Sequence, residues 1–460
     1  MQQSIEFDLD LIKKYDRSGP RYTSYPTAVQ FHDGFGKAEY EAAAARGNAA
    51  KRPISLYFHI PFCDTVCFYC ACNKVATKDR TKAQPYLDLM YREMEMQAAL
   101  FDSDRRVEQL HWGGGTPTFI SHDQMRELMD QTHKHFTLAD DDVGEYSIEI
   151  DPREATAETI AVLREIGFNR ISMGVQDFED NVQKAVNRVQ TEKETMTVLE
   201  AARENGFRSV SIDLIYGLPH QTVESFGRSL DRVLAVGPDR LSIFNYAHLP
   251  NLFKPQRRIE EADLPSAQMK LDILQSTIGK LTDAGYVYIG MDHFARPDDE
   301  LAVAQRDHTL YRNFQGYSTH ADCDLIGFGI TSIGMVDNTY AQNVKTLEEY
   351  EQYIGDGKLP IFRGVDLNRD DEIRRDVITR LICHFELAFG EVNAQWGIEF
   401  SSYFAEELSG LADMQADGLL QVDDAGIQIL PAGRLLIRNI CMTFDAYLKQ
   451  KEGGSFSKVI

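Results

Sequence analysis

The sequence predicts an α/β fold. It reads as a partial (β/α)6-type barrel, with an N-terminal arm before it and a mainly helical, winged-helix-like domain after it. Three observations lead there. Six short β-rich runs recur at regular intervals from residue 54, amphipathic helical patterns fill the gaps between them, and beyond about residue 365 the rhythm changes to helices closed by a hairpin. Strands that alternate with helices specify a parallel sheet of βαβ units. The expected division is 1–50 as an arm or lid, 51–364 as the barrel and its extension, and 365–460 as the C-terminal domain.

Residues 1–50 are polar, with turn signals at Ser18-Gly19-Pro20 and Tyr25-Pro26, and read as an arm rather than a core. The strands follow as ISLYFHI (54–60), VEQLHWG (107–113), YSIEI (146–150), NRISMGV (169–175), SVSIDLIYG (209–217) and RLSIFNYA (240–247). Helical patterns lie at 86–101, 123–136, 157–168, 195–207 and 223–237, and a longer one at 266–285 leads into YVYIGMDHFA. Several strands carry polar residues near their carboxyl ends, where α/β sheets place ligands. A Gly-rich stretch, 314–334, precedes the change of pattern. The C-terminal helices are expected at 370–385, 401–418 and 433–450. Between the last two, Leu420 and Val422 face Ile427 and Ile429 across Asp424-Ala425-Gly426 as a small hairpin.

Composition narrows the function. Forty-eight basic against seventy-one acidic residues leave a net charge of −23, a field that repels nucleic acid and anionic lipid. A winged-helix-like module with that acidity is expected to pack rather than to bind DNA. No apolar run approaches the ~20 residues that span a bilayer, and the first nineteen residues break each apolar pair with a charge, unlike a signal peptide. The expectation is a cytoplasmic protein without membrane or nucleic-acid partners.

Four of the seven cysteines, Cys63, Cys67, Cys70 and Cys72, crowd into ten positions directly after the first strand. Disulfide frameworks space their cysteines along the chain. Cys323, Cys383 and Cys441 stand alone and read as buried thiols. Three close thiolates can hold three corners of an iron-sulfur cube and leave its fourth iron open. Cys72 could instead complete a four-sulfur set, as a structural zinc site requires.

The spacing Cys-x3-Cys-x2-Cys within YFHIPFCDTVCFYCACNK resembles the radical S-adenosylmethionine enzymes. The wider set GPRYTSYPT, HWGGGTPT, EIDPRE, NRISMGVQDF, VNRVQ, IDLIYGLPHQT, FNYAHLP and GMDHFARPDDELA resembles the branch of that family that works on coproporphyrinogen III without oxygen. This resemblance implies a 4Fe-4S cluster on Cys63, Cys67 and Cys70, with S-adenosyl-L-methionine on the open iron as the source of a 5′-deoxyadenosyl radical. It implies an oxidoreductase of porphyrin and haem biosynthesis that converts two propionates to vinyl groups, giving protoporphyrinogen IX. An electron donor such as flavodoxin or ferredoxin would feed it, and it would act as a monomer.

Carried over residue by residue, the resemblance places Tyr57, Tyr69, Gly114, Glu149 and Ile333 around a first S-adenosylmethionine. Gly115, Thr116, Gln176, Arg188, Asp213 and Ala247 fall around a second. Tyr57 and His59 on the first strand are the candidate catalytic groups. Each position has a plainer reading: a tight turn for Gly113–Gly115, a strand-end salt bridge for Glu149, an internal Asp–Arg pair for Asp213, and core packing for the apolar residues. Arg21, Arg296 and Gln315, with Thr319 behind them, are candidates for the substrate's carboxylates, surface solvation being the alternative for the arginines. Two other functions stay open: a haem-binding chaperone on the same barrel, and a zinc-binding regulatory protein.

Overall fold

In the first strand, ISLYFHI, every residue but Tyr57 is buried, which fits a central strand covered by helices. The computed structural model describes residues 5–139 and 142–448, so the last two residues of the helix expected at 433–450 lie outside it. The chain forms two compact units. One comprises residues 31–273 and 322–366; the other comprises the chain up to Gln30, 274–321 and 367 onward.

The first unit contains all six expected strands: β1 (Ile54–Ile60), β2 (Arg106–Gly114), β3 (Glu145–Ile150), β4 (Arg170–Gln176), β5 (Ser209–Tyr216) and β6 (Arg240–Asn245). They run parallel in the order β6-β5-β4-β3-β2-β1, each strand beside its predecessor, as in a partial barrel. The Gly-rich stretch and the residues after it supply the extension. β7 (Asp324–Phe328) pairs parallel with the free side of β1, and β8 (Ile333–Val336), β9 (Thr339–Asn343) and β10 (Ile361–Asp366) continue it antiparallel. β1 therefore lies inside the sheet rather than at its edge.

The helices between these strands start where Ser and Thr allow it. Ser121, Thr156, Thr191 and Thr222 each cap a helix, and each side chain accepts the backbone N–H three residues on. Such a cap is worth about 1 kcal/mol. The helix Val223–Val236 ends at Gly237, whose φ of +59° suits glycine at that position. On the covered face Trp112 is fully buried and meets Phe58 and Phe168 edge-on. On the other face burial alternates with a period of two: Ser211, Asp213 and Ile215 of β5 stay partly open while their neighbours are buried.

The N-terminal fifty residues do not form a separate arm. Those from Phe31 onward belong to the first unit, where Tyr40, Ala43, Ala44 and Gly47 of the helix Lys37–Ala49 are buried. Those before it belong to the second unit. There the Tyr22 hydroxyl donates to Asp445, the Tyr25 ring packs on Tyr447, and Arg438 donates to the carbonyls of Gly19 and Pro20. Buried aromatics spaced irregularly in loops carry no periodicity, so a polar-looking segment concealed core residues.

In the second unit the expected hairpin forms with Leu420 opposite Ile429 and Val422 opposite Ile427, and Glu386–Ala388 joins it as a third strand. The helix Arg369–His384 matches expectation. The 401–418 pattern divides into Phe400–Tyr403, Ala405–Gly410 and Ala412–Ala416, and the last helix shortens to Ile437–Thr443. Cys383 and Cys441 are fully buried, and burial raises both thiols, Cys383 to about 12.

Candidate active site

All of the sequence's cluster and S-adenosylmethionine candidates fall in the first unit, along the carboxyl ends and the open face of β1 to β6 or close beside them. Cys63 follows β1 directly, and its short strand Phe62–Cys63 pairs with Val75–Ala76, closing the cysteine loop on itself. Three side chains aim donors at the sulfurs. Thr116 Oγ1 lies 3.6 Å from Cys63 Sγ, while Arg153 Nη2 and Arg188 Nη1 lie 3.5 and 3.6 Å from Cys67 Sγ. Burial pushes the Cys63 thiol up to about 11, with the Thr116 hydroxyl opposing. The Cys72 side chain hydrogen-bonds Cys70 and, against burial and together with Lys74, brings the Cys70 thiol down to about 5.

Asp151 holds the two guanidiniums in place. It accepts from Arg153 Nη2 at 2.6 Å and from Arg188 Nη1 at 2.8 Å. Burial would raise Asp151, but Arg188 and Arg153 outweigh it and keep its carboxyl below the usual range. The same Asp-Pro-Arg-Glu turn grips the other end of the loop: Arg80 spans Glu154 and Asp64, the neighbour of Cys63, at 2.9 and 2.6 Å. Arg153, Asp151 and Arg80 were not singled out from the sequence, although EIDPRE was; Arg80 lies in no motif, and its role is purely tertiary.

The glycines after β2 serve close approach. A Cβ on Gly115 would lie 2.6 Å from the Pro61 carbonyl oxygen and 2.7 Å from that of Phe62. That contact lets Gly115 N–H and Thr116 N–H donate to the carbonyls of Ile60 and Phe62, both at 2.8 Å, and seats Thr116 under Cys63. Gly114, at φ +118°, donates its N–H to Glu149 Oε2 at 3.2 Å. Glu149 also meets His111 Nε2 at 3.5 Å, and its side chain remains 49 % exposed on the open face. Desolvation opposes its charge, yet the hydrogen bonds from His111 and Gly114 prevail and hold its carboxyl below the usual range.

Tyr57 stacks on His111, ring centroids 5.9 Å apart, and His111 Nδ1 meets Ser147 Oγ at 2.6 Å. His59 Nε2 lies 3.2 Å from the Asn73 carbonyl, which can only accept, so Nε2 carries the proton and Nδ1 accepts from the Tyr57 hydroxyl at 3.1 Å. Burial lowers the His59 imidazole and keeps it neutral. Both its nitrogens are thus used within the chain.

Asp213 does not pair with Arg188, whose guanidinium is taken by Asp151 and the Gly174 carbonyl. It accepts instead from Ser172 at 3.0 Å and from Ser242, and burial raises it to about 6, with the charge of Glu149 adding to the effect. Gln176 sits at φ +70° at the end of β4. Buried and without a partner among the described residues are Gln176 Oε1, Arg188 Nε and Asn245 Oδ1. Tyr69 packs with Phe68 against Val182, Val186 and Tyr246, and the carbonyls of Tyr69 and Ala247 both accept from Gln256. Ile333, half-buried, opens β8.

The substrate candidates lie in the second unit. Arg21 is bound to Asp292 at 2.9 Å, Arg296 is exposed, and Gln315 occupies the turn of a hairpin, Tyr311–Asn313 with Gly316–Ser318. Thr319 follows that hairpin.

The donor set suits an iron-sulfur cube better than zinc. Among the described residues, the sulfurs of Cys63, Cys67 and Cys70 do not gather within 4.8 Å of one another. A single zinc ion would draw its thiolates to about 3.8 Å apart, given bonds of about 2.3 Å. Three cysteines on three different corners of a cube need no such crowding.

Known proteins resemble this chain along its whole length. Residues 57–233 match the family model of the radical SAM superfamily, and residues 367–436 match that of the HemN C-terminal domain. Proteins named oxygen-independent coproporphyrinogen III oxidase are 56 % identical over 460 residues in Pseudomonas aeruginosa and 54 % identical over 459 residues in Escherichia coli. The alignment covers the whole of this chain in both cases, with all of the first relative and 99 % of the second. The solved structure of coproporphyrinogen III oxidase (HemN) from Escherichia coli, described as a radical SAM enzyme, superimposes with a TM-score of 0.92 at 53 % identity. It covers 97 % of this chain and 100 % of its own.

Proposed function

The chain belongs to the oxygen-independent coproporphyrinogen III oxidase family of radical SAM enzymes, and from that premise we propose how its residues carry the family's reaction. It is an oxidoreductase whose substrate is coproporphyrinogen III. Two propionate side chains each lose a hydrogen atom from the β-carbon, then carbon dioxide and one electron, leaving vinyl groups and giving protoporphyrinogen IX. Relatives matched end to end carry the oxidase name, which favours this reading over a haem chaperone.

A 4Fe-4S cluster with S-adenosylmethionine would supply, when bound, the abstraction of a hydrogen atom from a carbon too weakly acidic for a general base. Cys63, Cys67 and Cys70 would hold the cluster, with Cys72 left out of its ligation. Thr116, Arg153 and Arg188 donate to the sulfurs, which fixes the ligands' orientation and tunes the site. Glu149, ionised and facing the open side, would accept from ribose hydroxyls, and Tyr57, held by His59 and His111, would wall the first S-adenosylmethionine together with Gly114, Tyr69 and Ile333. His59 acts as a positioning residue, since both its nitrogens are engaged.

Asp213, Gln176, Arg188, Ala247, Gly115 and Thr116 would serve a second S-adenosylmethionine. The unpartnered Gln176 Oε1 and the costly carboxylate of Asp213 support that role, because a cationic ligand would relieve the cost. Arg21 and Arg296 stand as propionate partners, Arg21 by exchange from Asp292. We place the enzyme in the cytoplasm as a monomer fed by a flavodoxin or ferredoxin; among the described residues no helix is long and apolar enough to cross a membrane.

The observation that carries this reading is the cysteine loop closed on the end of β1, with three donors trained on its sulfurs. Anaerobically reconstituted protein with a reductant and S-adenosylmethionine is expected to form protoporphyrinogen IX from coproporphyrinogen III. A protein that binds iron and sulfide and cleaves S-adenosylmethionine yet never yields the vinyl product would refute the substrate assignment.

A further inference from the structure

The hairpin Tyr311–Asn313/Gly316–Ser318 of the second unit carries a buried charge with no part in the cysteine site. Arg312 is 7 % exposed, and its Nε and Nη1 meet no hydrogen-bond acceptor among the described residues. Its contact is the ring of Tyr317, directly opposite in register, 4.8 Å away. Tyr317 is itself buried and fixed through its hydroxyl to the Ile382 carbonyl at 3.3 Å, so the guanidinium lies against a rigid face. A buried cation with unmet donors is among the costliest arrangements a fold can keep. This chain has 71 carboxylates to choose from, so a counterion was not lacking.

The surroundings are cationic. Arg438, buried and bonded to the carbonyls of Gly19 and Pro20, is lowered to about 10 by burial first, and then by the charges of Arg21 and Arg312; Asp292 and Tyr22 oppose that shift. Asp292 is already engaged by Arg21. On the turn of the same hairpin, Gln315 Nε2 is a second buried donor without an acceptor among the described residues. The unmet groups of Arg312 and Gln315 are donors, and a guanidinium among them calls for an anion with two acceptor oxygens, the geometry at which arginine excels.

We propose that Arg312, with Gln315 on the turn of the same hairpin as a second donor, forms a carboxylate-binding site, and that the carboxylate is a propionate of the tetrapyrrole, which rests on the function proposed for the chain. The Tyr317 ring lies against the guanidinium, and the ligand supplies the counter-charge that the fold withholds. Arg312 then discriminates acids from uncharged analogues, because a substrate lacking that carboxylate leaves the cation unpaired.

The test uses the full-length, anaerobically reconstituted protein and two stable probes: coproporphyrin III, which keeps the four propionates, and its tetramethyl ester. Binding is followed by porphyrin fluorescence for wild type, Arg312→Gln and Arg312→Lys, with iron content and the thermal midpoint without porphyrin measured alongside. The expected result is a ten- to hundredfold weaker affinity of Arg312→Gln for the acid, the span of a charge-assisted hydrogen bond. Lysine should recover part of it, and the ester should bind wild type and Arg312→Gln alike. The thermal midpoint of Arg312→Gln should equal or exceed that of wild type, since the substitution removes an unpaired buried charge. Unchanged affinity for the acid in Arg312→Gln would overturn the site. So would a midpoint lowered by several degrees, which would assign Arg312 to the fold. Wild-type protein that binds neither probe would instead overturn the substrate reading on which the site rests.

Discussion

Asp213 offers a test in which stability and ligand binding move in opposite directions. Its carboxyl is raised to about 6 by burial, with Glu149 adding to the rise and Ser242, Ser172 and Arg188 only partly offsetting it. A carboxyl raised in the folded state favours folding while protonated. That contribution is complete below the unfolded value of about 3.9 and is lost as pH rises through about 6. At pH 8 the ionised group then costs up to about 3 kcal/mol, from about 1.36 kcal/mol for each unit of its rise, and at pH 5 about half as much. Asp213→Asn keeps the shape and can still accept from a serine, but removes the charge. Thermal unfolding of the ligand-free variant should therefore show a higher midpoint than wild type at pH 8, with a distinctly smaller gain at pH 5. Equilibrium dialysis with S-adenosylmethionine should in turn show reduced stoichiometry or affinity, with cluster content intact. A lower midpoint at pH 8, or a gain independent of pH, would refute the argument that this carboxylate is held at a cost. Undiminished binding would refute its proposed service to a cationic ligand.

Replacing Cys63, Cys67 or Cys70 by Ala should abolish deoxyadenosine formation and the 4Fe-4S spectrum, whereas Cys72→Ala should keep its iron and sulfide; conversion of the Cys72 variant to a three-iron species would make it a ligand. Arg153→Gln withdraws one donor from Cys67 Sγ, so a redox titration should find the cluster at a more negative potential, and an unchanged potential would reduce the contact to packing. Gly115→Ala drives a Cβ into two backbone carbonyls and breaks the crossing bonds of residues 115 and 116, a loss of roughly 2–4 kcal/mol at about 1–2 kcal/mol for each bond left unmade; its thermal midpoint and iron uptake should both fall. Tyr22→Ala removes a buried ring and its bond to Asp445, and by analogy with other aromatic truncations should cost about 3–5 kcal/mol; an unaltered midpoint would restore the N-terminal segment to the status of a loose lid.

What the sequence determined by itself was whatever depends on neighbours along the chain. Alternating strands and helices determined the parallel order β1 to β6, because a crossover helix leaves few ways to lay the next strand down. The Cys63–Cys70 spacing determined a three-sulfur loop at the end of a strand, and Leu420 to Ile429 determined its hairpin through a three-residue turn. Tertiary structure alone decided which groups surround those cysteines. Arg153 and Arg188 reach Cys67 from 86 and 121 residues away with Asp151 holding both, and Arg80 reaches back 16 residues to Asp64 and forward 74 to Glu154. It also decided that Arg188 pairs with Asp151 and leaves Asp213 to two serines, that Tyr22 and Tyr25 are core rather than arm, and that β7, from the Gly-rich stretch, pairs with β1. The physical reason is common to all of these. Local patterns report a residue's periodicity and propensity, whereas the pairing of a charge or the burial of an isolated ring depends on which distant strand ends the sheet brings side by side.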